Sequence, residues 1–81
     1  MVTYITEGVC SERITFDVEN EIIKNVMFYS GCPGNVVGIS KLVEGMNIHE
    51  AIERLKGIDC KGKGTSCPDQ LARALEKYIR P

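Results

Sequence analysis

The sequence lacks the features of a membrane protein, a nucleic-acid-binding protein and a large enzyme. No run of apolar residues is long enough to span a bilayer. The formal net charge is −1 and no stripe of Lys and Arg stands out, so we expect neither a membrane nor nucleic acid as the main partner. A chain of 81 residues has room for one small domain over 1–81, but not for a substrate barrel or a dinucleotide fold.

The residue sets of common catalytic sites are missing as well. His49 is the only histidine, and no Ser-His-Asp set can be built around it. We expect it at an exposed helix position and not as a metal ligand. The segment 57–63 resembles the beginning of a phosphate-binding P-loop, but Gly64 occupies the position where Ser or Thr must bind magnesium. The sequence therefore predicts no catalytic residues and no NTPase activity.

The first residues also lack the basic start and the apolar run of a secretory signal. We therefore expect a cytoplasmic protein whose thiols stay reduced. In that compartment a metal site is a better explanation for several cysteines than disulfides are.

The chain does contain four cysteines. Four thiols match the coordination number of a structural zinc ion. Each lies near the end of a predicted strand or helix, and the partial positive charge of a helix N-terminus favours the metal-binding thiolate. Buried packing of Cys32, or a mobile thiol at Cys60, are the simpler alternatives. Cys60 lies in a glycine-rich loop and is therefore the cysteine least expected to reach the metal. If it does not, Glu12 is the substitute ligand. The predicted metal ligands are Cys10, Cys32, Cys60 and Cys67.

Apolar residues alternate in the first part of the chain and recur at helical spacing in the second. The alternation predicts strands over 3–5, 14–18 and 22–30, with a turn at 19–20. The helical spacing predicts helices over 35–44, 47–57 and 68–79. Strands followed by helices predict an α+β domain, in which three helices cover one face of a three-stranded antiparallel sheet.

The ends of these helices carry recognisable capping residues. Asn47, with Glu50 three residues later, predicts a capping box at the start of the second helix. Gly45 and Gly57 are expected to end the first and second helices. The apolar side of the first helix is predicted to comprise Val36, Ile39, Leu42 and Val43, and that of the last helix Leu71, Ala72, Leu75, Tyr78 and Ile79.

A loop with two lysines and two glycines precedes the last helix. Its amide groups and lysines, from Lys61 to Thr65, are of the kind that holds an anion or a nucleotide phosphate at a helix start. A solvated loop is the simpler interpretation. A nucleotide or anion site therefore remains a second hypothesis for this segment.

The five residues Thr65-Ser-Cys-Pro-Asp69 spell the motif after which the TSCPD domain is named. This domain occurs as small stand-alone bacterial proteins and at the C-terminal end of some ribonucleotide reductases, notably cobalamin-dependent ones. The chain resembles a stand-alone four-cysteine member over essentially its whole length. The resemblance implies a relation to ribonucleoside-diphosphate reductase through this domain. The chain alone is too small to house a radical barrel and a cobalamin site.

More distantly, the order of elements and cysteines is similar to that of IscU/NifU-type iron–sulfur scaffold proteins. That family assembles clusters, or binds zinc, on three cysteines, which match Cys10, Cys32 and Cys67 here. Glu12 lies where the family carries an aspartate. Ser66 lies where histidine is common, and the Leu-Pro-Pro-Val-Lys segment offered to a chaperone is absent. The resemblance implies an IscU/NifU-like fold in which the extra cysteine replaces the histidine.

These observations predict a small cytosolic metal-binding accessory module with zinc or an iron–sulfur species and no turnover of its own. The first alternative is an iron–sulfur scaffold or carrier that delivers clusters to partner enzymes. The second is a nucleotide- or protein-interaction module associated with ribonucleotide reductase and hence with DNA synthesis. A protein partner is expected in each case, and the sequence does not identify it.

Overall fold

The computed structural model describes residues 2–6, 8, 12–29, 33–59, 62 and 64–80. Within these residues the strands β1 (Val2–Ile5), β2 (Arg13–Glu19) and β3 (Ile22–Tyr29) precede the helices α1 (Pro33–Val43), α2 (Ile48–Leu55) and α3 (Cys67–Ile79). The strands form an antiparallel sheet in the order β1-β2-β3. The predicted α+β fold is confirmed, and each element begins and ends close to its predicted bounds.

The hairpin between β2 and β3 turns one residue later than predicted. Glu19 still pairs with Ile22, so the two-residue loop consists of Asn20 and Glu21. Both loop residues have positive φ, 52° and 64°. Two successive positive φ values are typical of the type I′ turn, whose twist matches that of the flanking strands. The prediction was wrong by one position because residues 19 to 21 are all polar and the alternation does not locate the turn among them.

One hydrophobic core lies between the sheet and the helices. The strands contribute large side chains from the same face of the sheet, and all three helices pack against them. Leu42 was expected in this core but is 75% exposed, since it lies beside the stripe that Val36 and Val43 bury. The fully buried large apolar side chains are those of Ile14, Phe16, Ile23, Ile48, Leu71 and Leu75.

The helix ends confirm the predicted caps with one exception. Gly45 has a φ of 80°, and Asn47 accepts a hydrogen bond from the His49 N–H at 2.9 Å. The expected return bond from Glu50 is not formed, because its carboxylate pairs instead with Arg54 at 2.9 Å. Among the described residues the longest helix is α3, with 13 residues. No helix in this part of the chain is long and apolar enough to cross a membrane.

Candidate metal-binding site at the start of α3

The helix α3 begins on Ser66, which serves as its N-cap. The Ser66 hydroxyl accepts a hydrogen bond from the Asp69 N–H at 3.2 Å and donates one to the Ile58 carbonyl oxygen at 2.7 Å. Pro68 lies in the first turn, where its missing N–H is not needed. Ser66 thus starts the helix and also holds it against the chain that leaves α2.

Asp69 is the buried centre of this region, with 2% of its surface exposed. Its carboxylate accepts hydrogen bonds from the Gly57 N–H at 2.7 Å and the Thr65 hydroxyl at 2.6 Å. Arg73 Nε, one helical turn further on, lies 2.8 Å from the same carboxylate. Burial alone would raise the pKa of Asp69, but these hydrogen bonds and the Arg73 charge outweigh it and hold the pKa below its ordinary value.

The hydroxyl of Thr65 is used twice. It donates to Asp69 and accepts a hydrogen bond from the buried Gln70 side chain at 2.9 Å. With Ser66 and Pro68, these contacts give four of the five residues of the motif a structural role at the helix start. The fifth, Cys67, is the first residue of α3 and is half-buried. The motif therefore presents one thiol-bearing residue from a firmly anchored helix end.

The loop before the motif is organised by Asp59. Its carboxylate accepts hydrogen bonds from the Gly62 N–H at 2.7 Å and from the Gly64 N–H. These two amides belong to the set proposed to hold an anion, so an incoming phosphate would have to compete with Asp59. Lys61 and Lys63 lie outside the described residues, and the anion hypothesis stays a prediction.

Gly8, which follows β1 in the chain, lies beside the motif. Gly8 has a φ of 70°, and a Cβ placed on it would lie 3.6 Å from the Thr65 methyl group. Further along, the Thr6 N–H donates to the Glu12 carbonyl at 3.2 Å, and the Glu12 N–H donates to the Tyr29 carbonyl at 2.7 Å. Glu12, just before β2, and Tyr29, the last residue of β3, are therefore neighbours at this end of the sheet.

Three of the predicted ligands, Cys10, Cys32 and Cys60, lie outside the described residues, and only Cys67 can be placed. Glu12, the substitute ligand, is exposed just before β2. The described part of the chain contains no group of three His, Cys, Asp or Glu side chains that could hold a metal ion. Because that part includes a single cysteine, the four-thiol site stays a prediction.

His49 lies on the surface of α2, as expected. Its Nε2 is 3.2 Å from the Glu21 carboxylate, and both side chains are exposed.

The buried set of Thr65, Asp69 and Gln70 was not predicted from the sequence. One signal was available, since Ser66-x-x-Asp69 before a proline-containing helix start is a capping pattern. The Gly57–Asp69 hydrogen bond joins residues twelve positions apart, and no local pattern predicts it.

Comparison with known proteins identifies the family. No curated protein and no solved structure matches the chain, so the likeness to IscU/NifU-type scaffolds stays a prediction. The family model of the TSCPD domain matches residues 2–79. That match spans β1 to the end of α3, including the helix start described above. The chain belongs to the TSCPD-domain family.

Proposed function

We propose that this TSCPD-domain chain is a metal-binding accessory module of the cytosol, without catalytic turnover. Its ligands are the thiolates of Cys10, Cys32, Cys60 and Cys67, and its metal is zinc. The observation that carries the proposal is a set of contacts between the segments that flank the cysteines. Two of these contacts lie at the start of α3, and the third joins Glu12 to Tyr29.

The first contact concerns Cys60 and Cys67. The Ser66 hydroxyl lies 2.7 Å from the Ile58 carbonyl oxygen. Ser66 directly precedes Cys67, and Ile58 is two residues before Cys60. Since one residue spans at most about 3.6 Å of chain, this hydrogen bond supports a shared site for the two thiols.

The second and third contacts concern Cys10 and Cys32. Gly8, two residues before Cys10, lies beside Thr65, two residues before Cys67. Glu12, two residues after Cys10, bonds to Tyr29, three residues before Cys32. Two or three residues reach at most about 11 Å, so these contacts support convergence of all four segments.

Four thiolates suit zinc in number and in softness. When bound, zinc supplies a link between four chain segments and leaves no position open for a substrate. The chain's own part is to fix the ligands. The hydrogen bonds of Ser66 and Asp69 lock the first turn of α3, which pre-orients the Cys67 thiol.

Elemental analysis of protein purified without oxygen tests the proposal. We expect about one zinc per chain and loss of that zinc in Cys67→Ser. His49→Asn is the matched control, because it removes the only histidine, on the surface of α2, and should keep the metal.

Other outcomes of the same experiment contradict the proposal in distinct ways. Iron with sulfide and visible absorbance would favour the cluster carrier. Protein without metal would favour an interaction module associated with ribonucleotide reductase. Equal loss of zinc from His49→Asn and Cys67→Ser would show that the bound zinc is not specific to the thiols.

A further inference from the structure

The outer edge of the sheet at β1 offers unpaired backbone groups. Among the described residues, β1 pairs with β2 only. The Thr6 N–H donates to the Glu12 carbonyl, so the carbonyls of Glu12 and, two residues further along β2, of Ile14 face β1. Bonded and non-bonded pairs alternate, so Tyr4 bonds to β2, and the N–H and C=O groups of Thr3 and Ile5 point away from it.

Apart from its short length of four residues, β1 carries none of the usual protection of an edge strand. Natural edges are commonly blocked by charged side chains, proline or a bulge. The residues Val2, Thr3, Tyr4 and Ile5 include no charge and no proline, and their pairing with β2 is regular. Ile5 is also among the most exposed apolar side chains of the described chain. This edge is therefore competent to accept another strand.

A groove runs along this edge. It has a volume of about 510 Å³, with β1 as one wall and Ala74, Lys77 and Tyr78 of α3 as the other. The Tyr78 ring meets Phe16 edge-on at 6.2 Å, which fixes the wall, yet 43% of Tyr78 stays exposed. The small Ala74 side chain leaves space opposite β1. Alternate side chains of an added strand would enter this groove.

The positive charge of Lys77 indicates which kind of strand would bind in the groove. Lys77 is exposed. Among the described residues that line the groove it is the only charged one, and it forms no ion pair with the other lining residues. A second copy of the chain would bring another uncharged β1 and another Lys77 to this edge. A carboxylate, in contrast, would pair with Lys77.

We propose that an extended acidic segment of a partner protein binds here as a fourth strand. Its backbone would bond to the N–H and C=O groups of Thr3 and Ile5, one apolar side chain would lie over Ala74, and a carboxylate would reach Lys77. The surface lies along β1 and α3 and needs no metal, so the proposal is independent of the thiol site.

The probe is the acetylated, amidated peptide Glu-Val-Thr-Val-Glu, added to the ¹⁵N-labelled full chain. In the free protein the amide protons of Thr3 and Ile5 should exchange quickly and that of Tyr4 slowly. At millimolar peptide, the Thr3, Ile5 and Ala74 signals should shift and exchange at Thr3 and Ile5 should slow. A probe with methylated valine nitrogens should bind more weakly, because it lacks backbone donors.

Charge exchange identifies the partner chemistry. Lys77→Glu should weaken binding of the acidic probe about fivefold, the upper end for one exposed ion pair, and should improve binding of Lys-Val-Thr-Val-Lys. Lys41→Glu, on the exposed side of α1, is the matched control and should change neither.

Three results would overturn the proposal. The first is an absence of shifts at Thr3 and Ile5 at millimolar peptide. The second is equal binding of the methylated probe. The third is a dimeric mass in sedimentation with Thr3 and Ile5 protected before peptide is added, which would assign the edge to a second copy.

Discussion

At the scale of single residues, the motif is explained by one buried carboxylate. Asp69 collects hydrogen bonds from a loop amide and a hydroxyl, and a charged contact from Arg73, and these come from three parts of the chain. Buried charge is costly unless it is paired and hydrogen-bonded, and here it is both. The motif residues around Cys67 therefore have a structural role that does not depend on whether the thiol binds a metal.

We expect Asp69→Asn to lower the free energy of unfolding by about 3 kcal/mol. The substitution removes the charge and replaces an accepting carboxylate oxygen by an NH₂ group, which would face the donors of Gly57, Thr65 and Arg73. Urea unfolding of the variant measures the loss. Glu53→Gln, on the exposed side of α2, is the control and should leave stability nearly unchanged. A variant of Asp69 as stable as the control would show that the buried hydrogen bonds do not stabilise the fold.

The second prediction at this scale concerns Asp17. The Asn25 side-chain amide donates to its carboxylate at 3.0 Å, and this bond holds the pKa of Asp17 below its ordinary value. A lowered pKa stabilises the fold above the unfolded value of about 3.9, and the contribution is lost as pH falls through the folded value.

Asn25→Gly removes the amide but keeps the positive φ of 55° accessible. An NMR titration should therefore show the pKa of Asp17 rising toward its ordinary value. An unchanged titration midpoint would mean that Asn25 does not set this pKa.

At the scale of strands and helices, the elements follow from local patterns and the turns do not. Alternating apolar residues locate β2 and β3, and the capping residues Asn47 and Gly45 bound their helices where expected. The turn was misplaced because Glu21 adopts a left-handed conformation that its residue type does not favour. Tertiary contacts hold it there, since the Ile48 N–H donates to the Glu21 carbonyl at 2.8 Å.

Glu21→Gly should therefore raise the free energy of unfolding by about 0.5–1 kcal/mol, since glycine has no Cβ to strain at positive φ. The backbone bond to Ile48 is kept, and the exposed contact with His49 contributes little. Thermal unfolding measures the gain. Glu21→Ala loses the same contact but keeps a Cβ, so an equal gain in that control would point to charge instead of backbone strain.

At the scale of the whole molecule, the sequence indicates which residues are candidate ligands, but it does not predict the contacts between the segments that flank them. The four cysteines are separated by 21, 27 and 6 residues, and no local spacing indicates a knuckle. The contacts that draw their flanks together, such as those of Ser66 with Ile58 and of Gly8 with Thr65, join distant positions. Such contacts depend on the assembled fold, which is why the sequence left disulfides and free thiols as alternatives.

The last prediction asks whether the fold depends on the proposed metal. Zinc bound by thiolates in small domains contributes roughly 10–16 kcal/mol, which is as large as the whole stability of a typical domain, about 5–15 kcal/mol. If zinc links the four segments, a chelator should abolish or greatly lower the cooperative thermal transition. Cys32→Ser should cost several kcal/mol, and chelator should lower its stability little further, since both changes remove the same ion.

A carrier must behave differently, because it has to stay folded after it releases its cargo. A metal-free chain with an unchanged melting temperature and a native-like spectrum would therefore contradict the structural role. In that case Glu12→Ala becomes the informative variant. As an exposed carboxylate two residues after Cys10, Glu12 would keep a cluster labile, and its loss should slow cluster transfer to an acceptor protein. We expect the structural outcome, because a fourth thiolate closes the position that a transfer site would leave open.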